Sequence, residues 1–332
     1  MRPPFLHIQT PLLLHRRLSA ALGKSVWLKM DNEQPSGSFK LRGIGLMCQR
    51  AVAAGATHLV CPSGGNAGFA AAVAGVALAV RTTVVVPSTA SAAARRAIVD
   101  IGAELIVHGA SWDDANLEAL RLCAAPGAVY IPPFDHPDIW DGNATVIDEA
   151  LAQAGNPAPG ARPQHGDSAF DVVICSVGGG GLLCGVLEGL QRNGLAHVPV
   201  LAVETEGAAS YAAALQAGEL VTLPAIASVA TSLGARRVAQ AALDWSQRHE
   251  ILSVLVSDAQ AVDACLRFAD DLRVLVEPAC GAALAVAYQD LPQLQRYSRP
   301  LVIVCGGIGI DLATLATLQA RFSLPSPTVS PP

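Results

Sequence analysis

Val172-Val173-Ile174-Cys175-Ser176-Val177-Gly178-Gly179-Gly180-Gly181-Leu182-Leu183-Cys184-Gly185-Val186-Leu187 runs from an unbroken apolar stretch through four glycines into a second apolar stretch. The first part, Val172 to Ser176, does not alternate between apolar and polar residues. A strand of that kind is buried on both faces, which is the condition of a parallel sheet covered by helices. The second part has the composition of a helix. The strand–glycine–helix order therefore points to an α/β fold with mostly parallel sheets.

The same alternation extends in both directions. Val26 to Met30, His58 to Cys61, Thr82 to Val86, Glu104 to Val107, Val198 to Val203 and Leu301 to Val304 read as strands. Phe39 to Ala54, Ala67 to Ala79 and Ala90 to Ile101 read as helices between them. Asn156 to Ala169 is rich in Pro, Gly and polar residues and reads as an exposed loop, and Ser323 to Pro332 as a disordered tail.

Composition narrows the classes of function. The 332 residues are 52% hydrophobic and 15% charged, enough for a large core in one or two domains. A net charge of −5 with no basic run argues against nucleic acid as a partner. The longest apolar stretch, Ala70 to Val80, is too short to span a bilayer, so no membrane association is expected. Eight cysteines without a C-x-x-C pair read as buried, reduced thiols. The N-terminus shows no secretory pattern, and a cytoplasmic location is the default.

Four turns carry the chemistry. Glycines at 178–181 let main-chain N–H groups converge on an anion, and the helix that follows adds its partial positive charge, so this is a phosphate cradle by geometry. A ligand-free tight turn would explain one or two of these glycines. A dinucleotide site, that of an NAD-dependent oxidoreductase using nicotinamide, is the rival, because Glu204 ends a strand about 24 residues later. Against it, the third glycine of G-x-G-x-x-G is replaced by Leu183 or Cys184. Gln34-Pro35-Ser36-Gly37-Ser38-Phe39-Lys40-Leu41-Arg42-Gly43 places Lys40 where a turn enters a helix, with Ser36 or Ser38 available as the cap. A lysine in so apolar a setting sheds its proton more readily, and the neutral amine is a nucleophile for carbonyl carbons. Ser63-Gly64-Gly65-Asn66-Ala67-Gly68 is either a carboxylate-binding turn or a plain capped one. Cys305 precedes Gly306-Gly307 and reads as a buried thiol or as a neutral partner for a ring nitrogen.

Taken together, PSGSFKLRG, SGGNAG, SVGGGGLLCGV, VEPACGAALA and VIVCGG resemble the serine/threonine dehydratase family of fold type II pyridoxal-phosphate enzymes, and most of all its liver-type L-serine dehydratase branch. The likeness runs from His7 to the strand before Gly306. It implies a tryptophan synthase beta-like fold with two three-layer α/β domains. Residues 35–138 would form the smaller one, and residues 1–34 plus 139–322 the larger, cofactor-binding one. It further implies that Lys40 joins the cofactor aldehyde and later takes the substrate Cα proton, with Phe39 beside the ring. Asn66 would bond the ring hydroxyl, Gly178, Gly179, Gly180 and Gly181 would hold the phosphate, and Cys305 would face the ring nitrogen. Ser63, Gly64, Asn66 and Ala67 would receive the substrate carboxylate. A K⁺ or Na⁺ site would fall at Glu204, Ala208, Leu233 and Ala235, with Ser210 as a further ligand. The implied reaction is α,β-elimination of L-serine or L-threonine to pyruvate or 2-oxobutyrate plus ammonia, by a homodimer.

Three departures qualify the likeness. Gly64 stands where liver-type enzymes have alanine and serine racemases have a proton-carrying serine, so elimination without racemisation is expected, at a reduced rate. A catalytically weak cofactor-binding protein is the alternative that this glycine leaves open. Ile308-Gly309 replaces the polar residues expected after Gly307. No extension long enough for a regulatory domain follows residue 320, so feedback control by isoleucine is not expected.

Overall fold

The computed structural model describes residues 4–155 and 169–325, so the Pro/Gly loop at 156–168 and the tail from 326 onward lie outside the described residues. The elements, in chain order, begin with β1 (Leu12–Leu14), α1 (Arg16–Leu22), β2 (Trp27–Lys29), α2 (Lys40–Ala53), β3 (His58–Cys61) and α3 (Asn66–Ala77). There follow β4 (Arg81–Val86), α4 (Ala92–Asp100), β5 (Glu104–Val107), α5 (Trp112–Leu122), β6 (Ala128–Tyr130), α6 (Pro137–Ala154), β7 (Val172–Ser176) and α7 (Gly181–Arg192). The last are β8 (Val200–Thr205), α8 (Ser210–Ala217), α9 (Gln240–Trp245), β9 (Ile251–Val256), α10 (Asp258–Leu272), α11 (Pro278–Tyr288), β10 (Pro300–Ile303) and α12 (Leu312–Arg321).

Two sheets result. One has the order β1-β2-β10-β7-β8-β9 and the other β5-β4-β3-β6. Every pairing is parallel except β1 with β2. The strands read from the sequence as continuous apolar runs are the buried ones: β3, β7, β8 and β10 have no residue open to solvent. Apolar burial of this kind, at about 25 cal/mol per Å², is the main stabilising term of the fold.

The strand order fixes where a ligand can sit. In the smaller sheet the chain moves outward from β3 to β4 and β5, then returns to the other side of β3 as β6. In the larger sheet it moves from β7 to β8 and β9, then crosses back as β10. At such reversals the helices leave on opposite faces and open a crevice at the carboxyl ends of the strands. The turns after β3, β7 and β10 are Ser63–Gly68, the tetraglycine and Cys305–Gly307.

The start of α2 differs from the sequence expectation. Its N-cap is Phe39, with no side-chain cap. Ser36 Oγ donates to the Ser38 carbonyl at 3.2 Å, and Ser38 Oγ has no partner. The reason is that Phe39 already has helical angles (φ −50, ψ −21), so the chain enters the helix without the extended residue that capping requires. The entry is held from outside instead: Ser38 forms an antiparallel bridge with Gly306, and Phe39 N donates to the Cys305 carbonyl at 3.0 Å.

Candidate active site

That bridge sets Lys40 beside the end of β10, and the cavity there gathers most of the expected residues. Phe39, Lys40, Asn66, Gly178–Gly181 and Cys305 all line it. Lys40 Nζ donates to the Pro133 carbonyl at 2.6 Å and lies 5.1 Å from the Phe39 ring centroid. Part of the Lys40 side chain is open to the cavity, but its amine lies deep within protein. Burial there brings its pKa down from 10.5 to about 8, against the opposing pull of Cys61, Cys305 and Glu277.

The glycines after β7 are demanded by contact and by backbone. A Cβ at Gly179 would lie 2.3 Å from the Phe134 ring, and Gly180 has φ +89, where a side chain is strained. The turn delivers the chain into α7, whose first N–H groups have no partner within the helix. This is the geometry that binds a phosphate.

Cys305 is buried at the cavity wall, and its thiol is held well above its ordinary pKa by a hydrogen bond with Cys280 and by burial. It is therefore a neutral group at neutral pH. The Asn66 carboxamide accepts from Ile308 N at 2.9 Å through Oδ1 and donates from Nδ2 to Glu277 Oε1 at 2.7 Å. Glu277 is a cavity residue that the sequence reading did not single out. The signal was present, an acid opening the otherwise apolar helix of VEPACGAALA, but a glutamate before a proline also reads as an ordinary helix start.

The substrate-carboxylate residues are placed differently. Ser63 and Gly64 are half-buried and Ala67 is buried; all three adjoin Asn66 without lining the cavity. A Cβ at Gly64 would meet Val86 Cγ1 at 3.2 Å and Ala90 Cβ at 3.3 Å, so a side chain there would press on the β4–α4 connection. Whatever Gly64 offers a substrate is main-chain. Around the expected cation site, Glu204, Ala208 and Ser210 are buried together at the end of β8. Glu204 accepts from the Tyr211 and Ala212 N–H groups, each at 2.8 Å, and burial raises its pKa to about 7. Ser210 Oγ is buried without a hydrogen-bond partner. Leu233 backs the tetraglycine, its Cα 3.1 Å from where a Gly178 Cβ would lie, and Ala235 N donates to the Leu233 carbonyl at 2.8 Å.

Residues 5–306 match the family described as pyridoxal-phosphate dependent enzyme. The chain belongs to that family. Within it, the chain is 47% identical to a serine dehydratase-like protein of Rattus norvegicus, over 96% of each chain. It is also 47% identical to an L-serine dehydratase/L-threonine deaminase of Homo sapiens, again over 96% of each. A fungal L-serine ammonia-lyase from Rhizomucor miehei superposes with a TM-score of 0.88 at 37% identity, covering 96% of this chain and all of the other. Family membership brings pyridoxal phosphate as the cofactor and sets aside the nicotinamide reading of the tetraglycine unit. The residues present fit that cofactor: an amine of lowered pKa, a glycine turn too closely packed for side chains, and a neutral thiol converge on one cavity.

Proposed function

We propose that this pyridoxal-phosphate enzyme is an L-serine/L-threonine ammonia-lyase, releasing ammonia with pyruvate or 2-oxobutyrate by α,β-elimination. The observation that carries the reading is the Lys40 amine, its pKa brought down to about 8, sharing a cavity with the Gly178–Gly181 cradle and neutral Cys305. When bound, the cofactor supplies the electron sink that makes a Cα proton removable. The chain does the rest. Gly178, Gly179, Gly180 and Gly181 would hold the phosphate through main-chain N–H groups, and Phe39 would pack against the ring. Asn66 would donate to the ring oxygen. Cys305, a neutral thiol, would be the partner of the ring nitrogen. The neutral amine of Lys40 would take the Cα proton. The first N–H groups of α3, which no side chain caps, would receive the substrate carboxylate together with Ser63, Gly64, Asn66 and Ala67. The β-hydroxyl takes up a proton and leaves as water; L-serine so gives 2-aminoacrylate and L-threonine 2-aminocrotonate, which water hydrolyses to ammonia and pyruvate or 2-oxobutyrate.

Several finer readings accompany it. Residues 35–138 form the smaller domain and residues 1–34 plus 139–322 the larger. Glu204, Ala208, Ser210, Leu233 and Ala235 hold K⁺ or Na⁺; the buried carboxylate and the orphaned Ser210 hydroxyl supply the hard oxygen donors that such ions take. The eight free cysteines support a reducing, cytoplasmic setting. Family likeness supports a homodimer, which sedimentation tests; a monomer at micromolar concentration rejects it.

The decisive assay is ammonia release from a panel of hydroxy amino acids, with and without added potassium. Turnover of L-serine or L-threonine supports the reading. A holoprotein with the cofactor's visible absorbance but no pyruvate would instead be the catalytically weak form that Gly64 raised. In the described residues no helix is long and apolar enough to cross a membrane.

A further inference from the structure

Among the described residues, Glu277 is the only acid lining the cavity. It opens α11, every residue of which is buried. A side chain in that position ordinarily turns back to accept N–H groups of its own first turn. This one does not. Its carboxylate reaches across the cavity instead, accepting from the Ser232 hydroxyl, from Asn66 Nδ2 at 2.7 Å and from Gly309 N at 3.3 Å. Burial of this acid is costly and raises its pKa, so the contacts that keep it there have a consequence.

The consequence falls on Asn66. With Oδ1 receiving the Ile308 N–H and one Nδ2 hydrogen given to the carboxylate, the carboxamide has a single workable orientation. The flipped form would set oxygen against carboxylate and NH₂ against N–H. The second Nδ2 hydrogen goes to Ser232 Oγ in a long bond of 3.4 Å, weak enough for an acceptor in the cavity to displace. The loop after β10 is moulded to this arrangement: a Cβ at Gly307 would lie 2.0 Å from Glu277 Cδ. Ile308 reaches Asn66 through its main-chain N–H, while its side chain packs at Gly37, so an apolar residue serves at that position.

We infer that Glu277 is a positioning residue: by fixing the Asn66 carboxamide it aims the remaining N–H at the ring oxygen of the bound cofactor and ties α3 to α11 across the cavity. The inference rests on the pyridoxal-phosphate reading of the site. It is tested by titrating apoprotein with pyridoxal phosphate and recording affinity, visible absorbance and kcat for wild type, Glu277→Leu, Glu277→Gln, Asn66→Ala and the Leu/Ala double variant. Glu277→Leu is expected to weaken cofactor binding about tenfold and to shift the visible band, the size of effect that loss of one buried charged hydrogen bond gives. Glu277→Gln, whose amide oxygen can still accept, recovers most of the loss. In the Asn66→Ala background, Glu277→Leu adds less than about twofold, because the two residues act as one unit. A Gln variant as impaired as Leu, or losses that simply multiply, overturns the inference. Should Glu277→Leu fail to fold, Glu277→Asp replaces it: the charge stays but the reach is a methylene short, and an Asp variant equal to wild type also overturns it. Wild-type protein that takes up no cofactor rejects the functional reading instead, before any variant is compared.

Discussion

At the scale of one residue, the proposed chemistry turns on the protonation of Lys40. With its pKa near 8, about half of the amine is neutral at pH 8, where an ordinary lysine would offer about one molecule in three hundred. Burial is the cause, so the effect belongs to the folded chain and vanishes on unfolding. Capture of pyridoxal phosphate by apoprotein should therefore accelerate with pH around a midpoint near 8; a stopped-flow midpoint near 10.5 would contradict the burial argument. The linkage has a definite sign. Between about pH 8 and 10.5 the unfolded chain binds this proton and the folded chain does not, so Lys40's contribution to stability rises with pH through that window. Lys40→Ala should remove both the visible band of the bound cofactor and turnover. Pyruvate formation persisting within about tenfold of wild type would mean another group is the nucleophile and base.

At the scale of an element, Lys40 is only as well placed as the helix it begins. Two residues further along α2, Arg42 is fully buried and forks onto Asp31 (2.7 and 2.8 Å) and Glu149 (2.7 and 2.8 Å), with Lys29 on the same Glu149 carboxylate at 2.8 Å. This network fastens α2 to α6 and to the segment after β2. Removing one member leaves buried charge uncompensated, so Arg42→Ala should lose about 3–5 kcal/mol by urea unfolding. Arg50 lies on the same helix and pairs with Asp138 and Asp141, each at 2.5 Å, at the exposed surface. Arg50→Ala should cost under about 1 kcal/mol. Equal losses for the two would show that burial is not what makes the inner network matter. This scale is also where the sequence was most and least legible. Strands β3, β7 and β10 were readable because burial on both faces writes an unbroken apolar run into the chain. The cap of α2 was misread because its true support is a bridge to Gly306, far away in sequence. Glu277 was missed for the same reason: its partner Asn66 stands 211 residues earlier, and nothing local marks the pairing.

At the scale of the whole molecule, the two sheets bring the turns after β3, β7 and β10 to one cavity, an arrangement their topology requires and no single motif reveals. At the end of β8, Glu204 provides a handle on the stability of the entire fold. Its hydrogen-bond partners are the neutral N–H groups of Tyr211 and Ala212, and burial raises its pKa from 4.5 to about 7. The folded chain therefore holds this proton more tightly than the unfolded chain between about pH 4.5 and 7. Stability falls as pH rises through that interval, and the deficit is complete above pH 7. The monovalent cation proposed for this carboxylate would offset the deficit where the group is charged and would have little to offset where it is protonated. The melting temperature should accordingly rise with added K⁺ at pH 8, rise little at pH 5, and respond to K⁺ at neither pH once Glu204 is changed to Gln. Tetramethylammonium at equal ionic strength separates a seated ion from general screening. Equal responses to the two salts at pH 8 would mean that Glu204 caps α8 and holds no ion.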